Sequence, residues 1–151
     1  MLRARLNDSL KDAMKAKDQR AVSTLRMILA GIKDKDIAAR PSGVTAIDDG
    51  AILSLLQGMV KQRRESIALY QQGGRDDLVK QESEEIVIIE GFLPRQMDEA
   101  ETKAAIDAAV AATGAASIKD MGKVMAELKA KFSGQLDFAK AGPLVKARLG
   151  G

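Results

Sequence analysis

The stretch AILSLLQGMVKQRRESIALYQQGGRDDLVKQESEEIVIIEGFLP, residues 51–94, decides the fold. Ile52, Leu55, Leu56, Met59, Arg63, Ile67 and Tyr70 recur at intervals of three and four, which puts them on one face of a long helix. Gly73-Gly74 then supplies a C-cap and a tight turn. A second run, Leu78, Glu82, Glu85, Ile86 and Ile89, begins near Asp76 and stops where Leu93-Pro94 breaks it. So short a connection predicts an antiparallel helical hairpin. Counting outward from the glycines sets Tyr70 near Leu78, and Arg63 near Glu82 or Glu85. An arginine on an apolar stripe, facing two acids one turn apart, predicts a structural ion pair of Arg63 with Glu85 or Glu82. Ile86-Val87-Ile88-Ile89 is β-prone by composition, but its helical flanks outvote it.

The same periodicity extends in both directions. Toward the N-terminus, Leu2, Leu6, Leu10, Ala13 and Met14 form one stripe. Asp18 reads as an N-cap, and Val22, Leu25, Ile28, Leu29 and Ile32 form the next. Arg40-Pro41-Ser42-Gly43 stops that helix and opens a loop to Asp49. Toward the C-terminus, Asp98 with Glu101 resembles a capping box, followed by Ile106, Ala109 and Val110 up to Gly114. Ser117 with Asp120 repeats the arrangement before Met121, Val124, Met125, Leu128 and Phe132. Ser133-Gly134 ends that stripe, and Pro143 fits the first turn of a short final helix with Leu144, Val145 and Leu149. The expectation is an all-α protein: an N-terminal bundle of long helices over residues 1–94, then a smaller C-terminal helical domain over 95–151.

Composition excludes much chemistry. Across 151 residues there is no Cys, His or Trp, so no disulfide, thiolate nucleophile, Ser-His-Asp triad or His-based metal box can be built. No catalytic residue, cofactor or metal site is expected. Asp48-Asp49 and Asp76-Asp77 read as helix caps rather than cation ligands. Gly122, inside a helix, reads as a point of close helix packing, the alternative being room for a ligand beside Lys123. Met121 and Met125 read as core. No apolar run spans a membrane and no apolar signal segment opens the chain, which gives the cytoplasm as the expected location.

The formal net charge is only +3, but it is unevenly placed. Residues 1–33 carry eight basic side chains against Asp8, Asp12 and Asp18, a local excess of five. Residues 138–149 carry Lys140, Lys146 and Arg148 without an acid, while Glu82, Glu84, Glu85 and Glu90 crowd the middle. Such asymmetry can mark a polyanion-binding face, and it can equally be ordinary solvated helices. Nucleotide-binding glycine motifs and the H-E-x-x-H metal motif are absent.

Three local patterns are more specific. They are Ser23-Thr24-Leu25-Arg26-Met27 extending to Ile32-Lys33; Val60-Lys61-Gln62-Arg63-Arg64-Glu65-Ser66 with Tyr70, Gly74-Arg75, Asp77-Leu78, Glu82, Glu85-Ile86 and Phe92-Leu93-Pro94; and Asp120-Met121-Gly122-Lys123-Val124-Met125 with Gly134 downstream. Together, from about Leu6 to Leu149, they resemble the GatB/YqeY family, in particular its free-standing YqeY-like members. The resemblance implies a fold shared with the C-terminal tail of the B subunit of tRNA-dependent amidotransferases, which helps to hold tRNA while amide transfer occurs elsewhere. A similar module is appended to some glutaminyl-tRNA synthetases. It also carries the label of a carbon–nitrogen ligase with glutamine as amido-N-donor, although this chain lacks the regions that would bind ATP or release ammonia.

The function expected is therefore a noncatalytic tRNA-binding accessory module. Its implied partners are tRNA and a component of tRNA aminoacylation or amide transfer. The candidate RNA contacts are Arg26, Lys33, Lys61, Arg64 and Arg75 in the N-terminal bundle, and Lys119, Lys123 and Lys146 beyond it. The alternatives are a helical protein–protein adaptor, or a subunit taking part in amide transfer.

Overall fold

The computed structural model describes residues 1–150. Among them it holds seven α-helices and no strand. The chain divides into two compact units, Met1–Leu93 and the part from Pro94 onward.

The first unit contains α1 (Leu2–Lys15), α2 (Gln19–Ala39), α3 (Asp49–Gln72) and α4 (Asp76–Glu90). Helices α1 and α2 reverse through Ala16-Lys17-Asp18. Lys17 sits in the left-handed region at φ 57°, while Asp18 accepts the Ala21 N–H at 3.1 Å and caps α2. Asp48 caps α3 in the same way through Ala51 N–H at 2.8 Å, and its neighbour Asp49 accepts from Leu2 N–H at 3.3 Å. Both acids of this pair are thus used in holding helix ends, as the loss of N–H partners at a first turn requires. The α3–α4 reversal runs through Gly74 at φ 68°, where Arg75 N–H returns to Tyr70 O at 2.9 Å. A β-carbon is disfavoured at that φ, which accounts for glycine there.

Leu6, Ile28, Ile32, Ile52, Leu56 and Ile89 are fully buried together where the four stripes meet. Each contributes roughly 1.5–3 kcal/mol by leaving water. Truncating one, Leu56→Ala for instance, removes about 2–5 kcal/mol. Ile86 and Ile89 take their places in this core from within a helix, and Val87 faces solvent. Met14 departs from the expected stripe: it is half exposed, because the α1 face ends at Ala13 before the turn. Around the core, Arg3 forks onto both carboxylate oxygens of Asp36 at 2.9 and 3.1 Å and reaches Ile47 O at 3.2 Å. Arg20 pairs with Glu84 at 3.1 Å, tying α2 to α4.

The second unit contains α5 (Glu99–Thr113), a 3-10 turn at Ile118–Asp120, α6 (Met121–Phe132) and α7 (Phe138–Gly150). Asp98 and Glu101 form a reciprocal capping box at 2.8 and 3.2 Å. Arg95 also closes on the Glu101 carboxylate. The Asp120 carboxylate accepts N–H groups of Ala116 and Ser117, fixing the turn before α6. Ile106, Val110, Val124, Leu128, Leu136 and Val145 make the core, with Met121 and Met125 packed against it.

Two sequence expectations fail in this unit. Helix α7 begins five residues before Pro143, so the proline lies inside it. Asp137 starts the helix earlier by accepting Ala139 N–H at 3.0 Å, and burial of Ala141 holds the first turn. Gly122 marks no close packing: a β-carbon there would meet nothing within 4 Å. The crowded glycine is Gly150, where a β-carbon would stand 2.5 Å from Ile118 Cδ1.

Candidate nucleic-acid interface and the buried ion pair

Arg63 enters the first unit from the apolar face of α3. Its Nε donates to Glu85 Oε2 at 2.8 Å, and Glu82 Oε2 lies 3.7 Å away. The side chains of Arg63 and Glu85 are 8% and 7% exposed, so the pair is desolvated on both sides. The remaining donors and acceptors are used as well. Arg63 Nη1 donates to Met59 O at 3.2 Å, Nη2 to the sulfur of Met27, and Gln81 Nε2 donates to Glu85 Oε1 at 3.1 Å. This saturation is what a buried ion pair needs to offset the loss of hydration. One cation against two carboxylates leaves an excess negative charge. Burial first, and then Glu85, push the Glu82 carboxyl above its usual range, against the pull of Arg63. The cluster joins α2, α3 and α4, and offers no open position to a ligand.

The basic candidates separate into two groups. Arg64 is drawn to Glu90 at 2.7 Å, Arg75 to Asp77 at 3.1 Å, and Lys123 to Asp120 at 4.0 Å. The Asp77 hydrogen bond keeps the Arg75 guanidinium above its ordinary value. These three would have to leave a carboxylate to meet a phosphate. Arg26, Lys33, Lys61, Lys119 and Lys146 are exposed and make no ion pair among the described residues.

Within the first unit Arg26 and Lys33 are seven residues apart on α2, hence on one face and roughly 10 Å apart along the axis. The Arg3–Asp36 fork marks the seam between α1 and α2. Arg26 and Lys33 lie less than a quarter-turn beyond that seam, on the side away from the core. Lys11 holds the matching position on α1, followed one turn later by Lys15 and then by Lys17 in the reversal. None of these lysines makes an ion pair among the described residues. Asp8 precedes Lys11 by three residues and Lys15 by seven, and Asp12 precedes Lys15 by three, so both acids stand beside these lysines on the exposed side of α1. These three lysines fall outside the candidates named from the sequence, where the four-residue spacing of Lys11 and Lys15 is the available signal. The resulting ridge is a row of cations without ion pairs among the described residues, with Asp8 and Asp12 beside its α1 part. Lys61, Lys119 and Lys146 are not part of it: Lys61 belongs to the outer face of α3, and the other two to the second unit.

Among the described residues, no group of three or more Asp and Glu side chains is arranged to hold a metal, and no helix is long and apolar enough to cross a membrane.

A family model described as Yqey-like protein matches residues 3–149. Curated relatives carry the name "Altered inheritance of mitochondria protein 41, mitochondrial". That of Eremothecium gossypii is 40% identical over 90 residues, 60% of this chain and 48% of the relative. That of Lachancea thermotolerans is 39% identical over 90 residues, 60% and 46% of the two chains. That of Saccharomyces cerevisiae is 35% identical over 88 residues, 58% and 46%. The chain spans about half the length of the curated relatives it matches. These names overturn the cytoplasmic expectation, since they point to mitochondria. The physical reason for the error is plain: lacking an apolar signal segment separates secreted chains from others, but does not distinguish one aqueous interior from another.

Proposed function

Because the chain belongs to the Yqey-like protein family, we propose that it is a noncatalytic tRNA-holding module whose α1–α2 ridge receives the phosphate backbone. The observation that carries this reading is the pair Arg26 and Lys33, exposed, on one face and free of carboxylates among the described residues. A cation already bound to a carboxylate must give up that partner to bind phosphate, whereas these two release only counterions. Lys11 and Lys15 on α1, and Lys17 in the reversal after it, extend the same ridge.

The chain carries one Tyr, three Phe and no Trp, so stacking of splayed bases has little to work with. Duplex shape and phosphate position are then the features read, as in minor-groove recognition of RNA helices. The acids of α4 and the low net charge keep affinity for arbitrary polyanions modest. In this reading the chain holds RNA for chemistry performed elsewhere.

Filter binding or fluorescence anisotropy of labelled tRNA across a salt series tests the proposal. If about three to five phosphates are neutralised, log K falls with log salt with a slope of about −2 to −5. Replacing Arg26 and Lys33 together by Ala is expected to weaken binding and flatten the slope by about one to two units, with helical CD unchanged. Equal binding by that double variant would remove the ridge from the interface, and no binding to any tRNA at low salt would end the RNA reading.

A further inference from the structure

On the opposite face of α2, a groove of about 720 Å³ runs between α2 and α3. Ile47, Leu55 and Met59 form its floor, Ala38 and Gly58 its low walls, and Lys35 its rim. We propose that this groove receives an amphipathic helix of a partner protein that carries a carboxylate beside its apolar stripe. The site is separate from the RNA ridge: Lys35 follows Arg26 by nine residues, which is half a revolution round the helix.

Three features specify such an occupant. The floor is apolar and extended along two helices, the geometry that accepts side chains at positions i, i+3, i+4 and i+7 of a third. The walls are small where an incoming axis must approach closely; at Gly58 a β-carbon would meet nothing within 4 Å, so the space beside α3 is open. The groove's single ionic lining residue is Lys35, exposed and without an ion pair among the described residues. An acid on the incoming helix complements this charge, whereas a base at the same place is disfavoured.

The test is selection from a displayed library of helical peptides against the immobilised full chain. The library has a fixed apolar stripe, and flanking positions randomised among Glu, Lys, Gln and Ala. Enriched peptides are expected to carry Glu on one flank. Gly58→Leu fills the groove while improving the helix-forming tendency of an exposed position, so the variant folds. It should weaken the enriched peptide by at least about tenfold. Lys35→Glu should weaken it by several-fold and accept the Glu→Lys version of the same peptide instead. The Arg26→Ala, Lys33→Ala variant should bind the peptide as the parent does, which separates this result from the fate of the RNA proposal. Failure to enrich any helical sequence, enrichment without acidic flanks, or undiminished binding to Gly58→Leu would each overturn it.

Discussion

Replacing Arg63 by Ala offers a direct reading of how the first unit is held together. The guanidinium is almost without solvent contact and binds a carboxylate equally sequestered. Its removal leaves Glu85 buried with only the Gln81 amide, and Glu82 with no cation beside it. Breaking a buried pair from one side costs about 3–5 kcal/mol, against about 0–1 kcal/mol for an exposed one. The burial here assigns the larger figure, a substantial part of the roughly 5–15 kcal/mol that stabilises a domain. Urea unfolding followed by CD at 222 nm measures it. Replacing both partners, Arg63→Met with Glu85→Leu, should recover most of the loss, since two apolar groups leave no charge stranded. Acidification supplies an independent sign. Glu82 has its folded pKa raised above 4.5, so its ionisation opposes folding: that penalty is absent below the unfolded value and grows as pH rises through the folded one. Without Arg63 the penalty deepens, so the variant should lie furthest below the parent near neutral pH and approach it at about pH 4. A loss under about 1 kcal/mol at neutral pH, or one unaltered by acid, would refute the reasoning.

Other outcomes follow from separate features. Lys17→Gly relieves a left-handed non-glycine residue and should raise stability by about 0.5–1 kcal/mol in the same urea assay. Glu101, held by Arg95 and by the Asp98 N–H, has its carboxyl pulled down from 4.5 to about 2. Its contribution to stability is therefore present above 4.5 and lost as pH falls toward about 2; an NMR titration of its side-chain carbonyl with a midpoint near 4.5 would contradict this. Incubated with misacylated Glu-tRNA or Asp-tRNA, ATP and glutamine, the isolated chain should yield no amidated product, and turnover by a sample free of other subunits would refute the holding role.

Helical periodicity made most of the fold legible, because apolar residues at three- and four-residue spacing fix both helix and buried face. The caps at Asp18, Asp48 and Asp98 were readable for the same local reason, as was the Arg63–Glu85 register, set by counting from a two-glycine turn. What local pattern could not show was distance to the next helix. Gly122 and Gly150 are both glycines near helix ends, yet one faces open space and the other abuts Ile118. Pro143 was placed at a helix start by its own preference, whereas Asp137 and the burial of Ala141 moved that start upstream. Among the basic candidates, sequence gave charge but not occupancy. Arg64 and Arg75 are bound by Glu90 and Asp77, while Lys11 comes to the α2 seam only once α1 folds back along α2.

The fork of Arg3 has a kinetic meaning. It joins the chain across 33 residues to Asp36 and across 44 to the Ile47 carbonyl. Such a closure needs two finished helices and a settled loop, so it completes after the hairpins rather than nucleating them. Contacts made after the rate-limiting step leave the speed of assembly almost untouched and act on its reversal. Arg3 therefore works as a latch: it lengthens the lifetime of a bundle already formed, and its loss would be felt as faster opening of the N-terminal helix.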